Sequence, residues 1–431
     1  MGDPAIANLI ILDPAHFHAA VLQERMIAGI DKRVSIYAPL GPGLLIHLQL
    51  IEQFNSRADH PTSWELDIHC SPRSLEEMIA ARPGNVVVLA GHNGAKIGKI
   101  KASLEAGLNV LVDKPWIIDA RDFPALESAL ALADQKGLIA YDLMTERYEI
   151  TRIIQRELVN DPEVFGKVVP ADPERPAVFM ENVHTILSTV NGVPSPRPPF
   201  FFDIHDQGVG LTDVGTHLVD LVQWTLFPNQ AILYRDDIKV QRGKRWSTPI
   251  TGAQFRKVTG MAAFPSELAP YVEGDRFDYY CNNQVDYTIR GVQVRLKTVW
   301  VWERRAGDDS PQAIFRGTNA RVELRQTAQE NYRPEVFVVP NDPEHSPAVT
   351  QAVRRRIASL EGTYPGIGAE TAGSEVHISI PDLARQGLGA HLAQVAAEFL
   401  TYLKSPKSMP AWERPNMLAK YFVTTTGVQM S

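Results

Sequence analysis

Asp213 and His217 stand four residues apart in the run GVGLTDVGTHLVD (208–220). On a helix that spacing sets a carboxylate and an imidazole on one face, one turn apart. Such a pair suits proton transfer, because an imidazole titrates at about pH 6.5 and a neighbouring carboxylate can orient and retune it. Gly208, Gly210 and Gly215 leave room for a ligand or another backbone to approach the same turn. A surface pair or a satisfied buried histidine shows the same spacing, so the pair alone does not define a site. The segment VLVDKPW (110–116) adds Asp113 and Lys114. A lysine that follows a buried strand and precedes Pro115 has its chain direction fixed and its ammonium aimed into a crevice, unless it is a salt-bridged strand-end lysine. A third segment, ILDPAHFH, places Asp13, Ala15, His16, Phe17 and His18 just after an apolar strand.

Elements able to position these groups alternate through residues 1–150. LIIL is followed by AAVLQERMIAGI, VSIYA by LLIHLQLIEQF, LDIHC by LEEMIAA, NVVVLAG by IGKIKASLEAG, NVLVDKP by FPALESALALADQKG, and LIAYDL by a long helix from near Arg147. Near-continuous apolar strands between amphipathic helices predict a doubly wound parallel sheet, which takes ligands at the carboxyl ends of its strands. Ala90, Asn93, Asp113 and Lys114 stand at such ends. Beyond about residue 155 the chain becomes proline-rich and irregular, with a helix expected over 208–227, and strand-like runs dominate from 232 to 340. In VQVRLKTVWVW the alternation puts Val292, Val294, Leu296, Thr298, Trp300 and Trp302 on one face, as an open, mainly antiparallel sheet requires. Helix returns in LGAHLAQVAAEFLTYLKS, before WERPNMLAKYFVTT closes the chain. The expected division is therefore 1–150, a Rossmann-type α/β domain, and 151–431, an α+β domain with a carboxyl-terminal helical extension.

Composition narrows the function classes. The chain has 431 residues, 44% hydrophobic and 22% charged, with a formal charge of −7, which supplies no basic footprint for nucleic acid. Its two cysteines, Cys70 and Cys281, are too few for a disulfide framework or thiolate metal site and are expected to be buried thiols in a reducing compartment. The start carries neither a signal-peptide pattern nor a membrane span, so a cytoplasmic location is expected.

The quoted segments resemble the Gfo/Idh/MocA oxidoreductases. VLVDKPWII looks like that family's Glu-Lys-Pro segment with Asp113 in place of Glu, GVGLTDVGTHLVDLVQW like its Asp-x-Gly-x-His helix, and FRGTNARVEL (315–324) like the Gly-Thr-x-Gly turn of its sheet domain. The resemblance covers roughly residues 5–330; the tail looks like that of an atypical subgroup. It implies that Lys114 lies near a nicotinamide and a reacting hydroxyl, that Asp213 holds or polarises this hydroxyl, and that His217 takes its proton while hydride leaves the same carbon. Asp220, one turn on, either orients His217 or is a solvated helix residue, and the second reading is preferred. Arg147 and Tyr148 in MTERYEI, with His184, Asp203, His205 and Gln207, are candidate substrate contacts. The implied substrate is a sugar, polyol or glycoside, the implied cofactor NAD or NADP, and the implied assembly a homodimer or tetramer through the open sheet.

The cofactor turn departs from the family pattern. Gly-x-Gly-x-x-Gly lets backbone amides approach a pyrophosphate, whereas this turn reads Asp13-Pro14-Ala15-His16-Phe17-His18 and the second strand ends without the acid that holds a ribose diol. An altered nicotinamide site, a site for the 2′-phosphorylated cofactor, and a fold that has lost its cofactor all fit. Asn93 matches the family's Thr-Pro-Asn turn and favours a retained site. Rival functions are a redox-neutral NAD-dependent glycoside hydrolase or lyase, a non-catalytic Rossmann-type sensor, and a metal-dependent barrel hydrolase using His16-x-His18. The β-rich second half counts against a barrel, and no metal ligand set is assigned.

Overall fold

In the computed structural model, which describes residues 5–190, 193–195, 197–303 and 311–431, the first half builds a six-stranded parallel sheet of order β3-β2-β1-β4-β5-β6. Its strands are β1 (Leu9–Leu12), β2 (Arg33–Ala38), β3 (Glu65–Cys70), β4 (Val86–Leu89), β5 (Asn109–Val112) and β6 (Ala140–Asp142). Between and after them run α1 (His18–Val21), α2 (Pro42–Ser56), α3 (Ser74–Ala81), α4 (Lys96–Glu105), α5 (Phe123–Lys136) and α6 (Ile150–Val159). Successive side chains of a strand point to opposite faces, and both faces here are apolar: Leu9 and Ile11 enter one core, Ile10 and Leu12 the other. This is the doubly wound half expected from the alternating pattern. One helix is much shorter than read, α1 being a single turn, and α6 starts at Ile150, just beyond Arg147.

The second half is built on a ten-stranded, mainly antiparallel sheet. It contains β7 (Val178–Thr185), β10 (Ile238–Thr251), β11 (Val272–Glu273), β12 (Arg276–Ile289), β13 (Val292–Val301), β14 (Pro311–Arg316), β15 (Ala320–Arg325), β16 (Glu335–Pro340), β17 (Gly368–Ala372) and β18 (Glu375–Ser379), while β8 (Ser188–Val190) and β9 (Val193–Ser195) form a separate hairpin. Helices α7 (Gly215–Leu226), α8 (Tyr234–Asp237), α9 (Gly252–Thr259), α10 (Ser346–Leu360), α11 (Leu388–Lys404) and α12 (Glu413–Gln429) complete the chain. The segment read as irregular holds β7, which pairs parallel to β13 and antiparallel to β14 in mid-sheet. Flanking prolines masked it; residues 191, 192 and 196 of that segment lie outside the described ones. In β13, Val294, Leu296, Thr298 and Trp300 are buried as the alternation requires, and Gln293 is buried on the other face.

The tail does not stay with the second half. Leu392, Val395, Ala396 and Phe399 of α11 enter one core of the parallel sheet, and Met417 and Tyr421 of α12 enter the other. Ala419 and Val423, on a different face of α12, pack into the core of the large sheet. Cys281 is buried as expected, but Cys70 is exposed because β3 is an edge strand. Among the described residues no helix is long and apolar enough to cross a membrane.

Candidate active site

Chain order reverses between adjacent parallel strands β1 and β4, and at such a switch point the loops leaving the carboxyl ends diverge into a crevice. The loop after β1 packs against the loop after β4: Ala15 and His16 both donate backbone N–H groups to the Ala90 carbonyl, at 2.9 and 3.0 Å. Gly91, at φ +109°, is required there, since a Cβ would lie 2.6 Å from that of Ala15. Asp13, which as a free carboxylate would repel a phosphate, is instead ion-paired with Lys99 of α4. Phe17 points outward and is exposed.

His16 and His18 turn inward to Asp113, the residue after β5. Nδ1 of His16 lies 2.9 Å from one carboxylate oxygen and Nδ1 of His18 lies 3.0 Å from the other. Asp113 is buried, which alone would raise its pKa, but the two imidazoles hold it well below the usual carboxylate range. Burial and the neighbouring His18 push His16 down to about 4. Lys96, fully buried at the start of α4, donates to the Asp113 carbonyl at 2.9 Å, and burial brings its pKa down to about 8.

Lys114 crosses from the parallel sheet to the second half. Its Nζ donates to Asp213 at 2.5 Å, and Gln207 donates to the other oxygen of that carboxylate at 3.2 Å. The Gln207 carbonyl in turn accepts from Asn93 at 2.8 Å, which ties the loop after β4 to the same group. Burial disfavours charge on both members of the Lys114–Asp213 pair, yet their mutual attraction prevails: Lys114 is raised and Asp213 lowered, so both are ionised. Asp213 precedes α7 rather than riding on it. The run 208–214 forms turns because Gly210 donates to the Cys281 carbonyl of β12 at 2.8 Å, where a Cβ would come within 2.5 Å of that oxygen. The close approach served by this glycine is therefore to another backbone.

His217 lies in the first turn of α7, the helix that Asp213 leads into. Burial first, then the charge of Lys114, pushes its imidazole down to about 3, with His18 and Asp113 also in its field. Its Nδ1 is buried with no hydrogen-bond partner among the described residues. A small open pocket, with room for about one water molecule, lies between His16, Asn93, Asp113, Lys114, Gln207 and Asp213.

Several expected contacts lie elsewhere. Asp220 is buried, not solvated: Arg147 grips it with two hydrogen bonds of 2.7 Å and reaches Glu413 of α12 at 2.7 Å. Arg147 is thereby spent on the protein, and Tyr148 bonds Glu398 of α11 on the far side. Asp203 accepts the backbone N–H of His205 at 2.9 Å, and the exposed His205 meets Tyr271. His184 stacks on Trp300. Behind the site, Lys420 pairs with Asp142 at 2.8 Å, and Tyr421 donates to Asp142 at 2.9 Å while accepting from the Trp116 backbone at 3.1 Å. Lys96, Lys420 and Glu413 were not singled out from the sequence. The signal available was a charged residue inside an otherwise apolar helical face, as in LAKYF.

The family model described as "Putative oxidoreductase C terminal domain" matches residues 154–431. The chain is 40% identical to a putative oxidoreductase from Parabacteroides merdae, covering 100% of this chain and 98% of that one with a TM-score of 0.95. A 3-ketoreductase from Actinomadura kijaniata in complex with NADP and TDP-benzene shares the fold at 13% identity, 98% and 96% coverage and TM-score 0.57. An NAD-binding protein from Listeria innocua does so at 12% identity, 100% and 98% coverage and TM-score 0.56. Among curated proteins no match is found. With most of its length matched by the family model and a full-length relative at this identity, the chain belongs to that family of oxidoreductases.

Proposed function

We propose that the protein oxidises a secondary hydroxyl of a sugar, polyol or glycoside, or reduces the corresponding ketone, with NAD or NADP as hydride partner. The observation that carries this reading is the buried, ionised Lys114–Asp213 pair beside a neutral His217 with an unused ring nitrogen. That donor set fits the reacting end of a nicotinamide: a small open cleft at the carboxyl ends of β4 and β5, lined by Asn93, Asp113 and Lys114. The NADP of the Actinomadura kijaniata enzyme, which shares the fold, supports the same choice. At the phosphate end the fit is different, because two of the turn's amides are spent on Ala90.

When bound, the nicotinamide supplies the hydride acceptor; the chain supplies the rest. Lys114, held charged, stabilises the alkoxide that develops as the hydroxyl loses its proton. Asp213, held ionised, keeps Lys114 in place and accepts a hydrogen bond from the substrate. His217, neutral at physiological pH, receives the proton. Gln207 fixes the Asp213 carboxylate from behind, and Asn93 holds the Gln207 main-chain carbonyl. We further assign residues 1–150 to nucleotide binding and 151–431 to the substrate and to self-association as a dimer or tetramer.

The test is turnover of a panel of glycosides and polyols with NAD or NADP, read by reduced-nicotinamide absorbance. Lys114→Ala and His217→Ala should each lower turnover by about 10²–10⁴-fold while the circular dichroism spectrum stays that of the parent. Folded variants with undiminished turnover would remove both residues from the mechanism.

A further inference from the structure

The turn after β1 spends two backbone amides on Ala90 and carries no glycine, yet three side chains with lone pairs converge there. We propose that His16, His18 and Asp113 form a binding site for a divalent transition-metal ion, with zinc as the reference case. One ligand atom from each residue, the imidazole nitrogens and a carboxylate oxygen, lies within 4.8 Å of the others. The two Nδ1 atoms lie 2.9 and 3.0 Å from the two oxygens of the one carboxylate, shorter than the roughly 3.3–3.6 Å edges of a tetrahedral shell with metal bonds of about 2.0–2.2 Å, so the three side chains need only open slightly to admit an ion.

Hydrogen bonding alone accounts for half of this cluster. His18 Nδ1 has the geometry of a hydrogen bond to Asp113. His16 Nδ1 is equally near the other oxygen, but outside strict hydrogen-bond geometry. Both sides of the cluster are braced. Asp113 is fixed by its N–H to the Leu89 carbonyl at 2.8 Å and by Lys96 on its own carbonyl. The turn that carries the two histidines is held to the loop after β4 by the Ala15 and His16 N–H bonds to the Ala90 carbonyl.

Two imidazoles and one carboxylate form a ligand set used by zinc and by non-haem iron, and three protein ligands leave coordination positions open. The cavity shared by His16, Asp113 and Lys114 offers space for water or an anionic oxygen at those positions. A metal ion would place positive charge where a glycine turn would present amides. Metal binding is independent of the hydride reading, because it is measured without cofactor or substrate.

The experiment uses the full chain without a tag, stripped by chelator and dialysed, then titrated calorimetrically with ZnCl₂ and followed by visible absorption with CoCl₂. One equivalent should bind, with a cobalt spectrum carrying nitrogen ligation. His16→Ala, His18→Ala and Asp113→Asn should each weaken binding by at least about tenfold, while His205→Ala, at an exposed histidine, should bind as the parent does. If a buried-site variant fails to fold, His16→Gln, at the more exposed ligand, carries the comparison. Absence of one-to-one binding by the parent, or folded ligand variants that bind as tightly as the parent, would overturn the proposal.

Discussion

An imidazole driven to about pH 3 behaves differently from one in water. His217 is neutral throughout the physiological range, so hydroxyl oxidation should show no loss of kcat/KM on an acidic limb at about pH 6.5. A pH profile that does fall there would show that another group, or a differently charged His217, takes the proton. The same physics reaches stability through His47, buried in α2 with both ring nitrogens unpartnered among the described residues and pushed by burial to about 4. Its folded pKa lies below its unfolded value of about 6.5. Stability from this group is therefore complete above the unfolded value and falls as the pH drops from there towards about 4, by up to ~1.4 kcal/mol per pH unit, because the unfolded chain binds a proton that the folded chain refuses. His47→Leu should flatten that slope and raise stability by about 1 kcal/mol, since two unsatisfied polar atoms disappear. Denaturant melts at two pH values check both effects; an unchanged slope would mean that His47 is not held neutral.

At the scale of elements, the site depends on α12. Arg147, after β6, joins Asp220 of α7 to Glu413 of α12, and Lys420 joins Asp142 to the same helix. A buried pair contributes little net stability, but removing one partner leaves charges stranded. Arg147→Met should thus cost about 3–5 kcal/mol, seen as an earlier denaturation midpoint, and a shift under about 1 kcal/mol would show that the network relaxes around the loss. None of these partnerships was legible in the sequence, because Arg147 and Asp220 are separated by 73 residues and Arg147 and Glu413 by 266. Periodicity reports which face of a helix is apolar, not which distant charge will meet a charge on it. It therefore located the six parallel strands and the alternation of β13, while Asp220 was read as solvated and Arg147 as a substrate contact. Lys114 was legible for a local reason: a buried strand on one side and Pro115 on the other leave its side chain one direction. The Asp113 clasp on His16 and His18 was not, since it depends on two loops meeting over 95 residues.

For the whole molecule, the parallel sheet is covered partly by helices made last. Leu392, Val395 and Phe399 close one core and Met417 and Tyr421 the other, all below a tenth exposed. A fragment of residues 1–150 would leave those apolar surfaces in water at about 25 cal/mol per Å². It should therefore be recovered as an aggregate or show no cooperative melt, whereas a soluble fragment with a sharp transition would establish that the amino-terminal half is self-sufficient.

The hydroxyl of Tyr421 also sets a clock. It joins Asp142 across 279 residues and the Trp116 backbone across 305, so the strand ends that carry Asp113 and Lys114 leave the ribosome long before their last support. At about 5–20 residues per second, synthesis holds the half-covered sheet open for tens of seconds. During that interval the nascent chain presents two apolar faces, and its yield in the cell should follow the supply of chaperones that bind such surfaces.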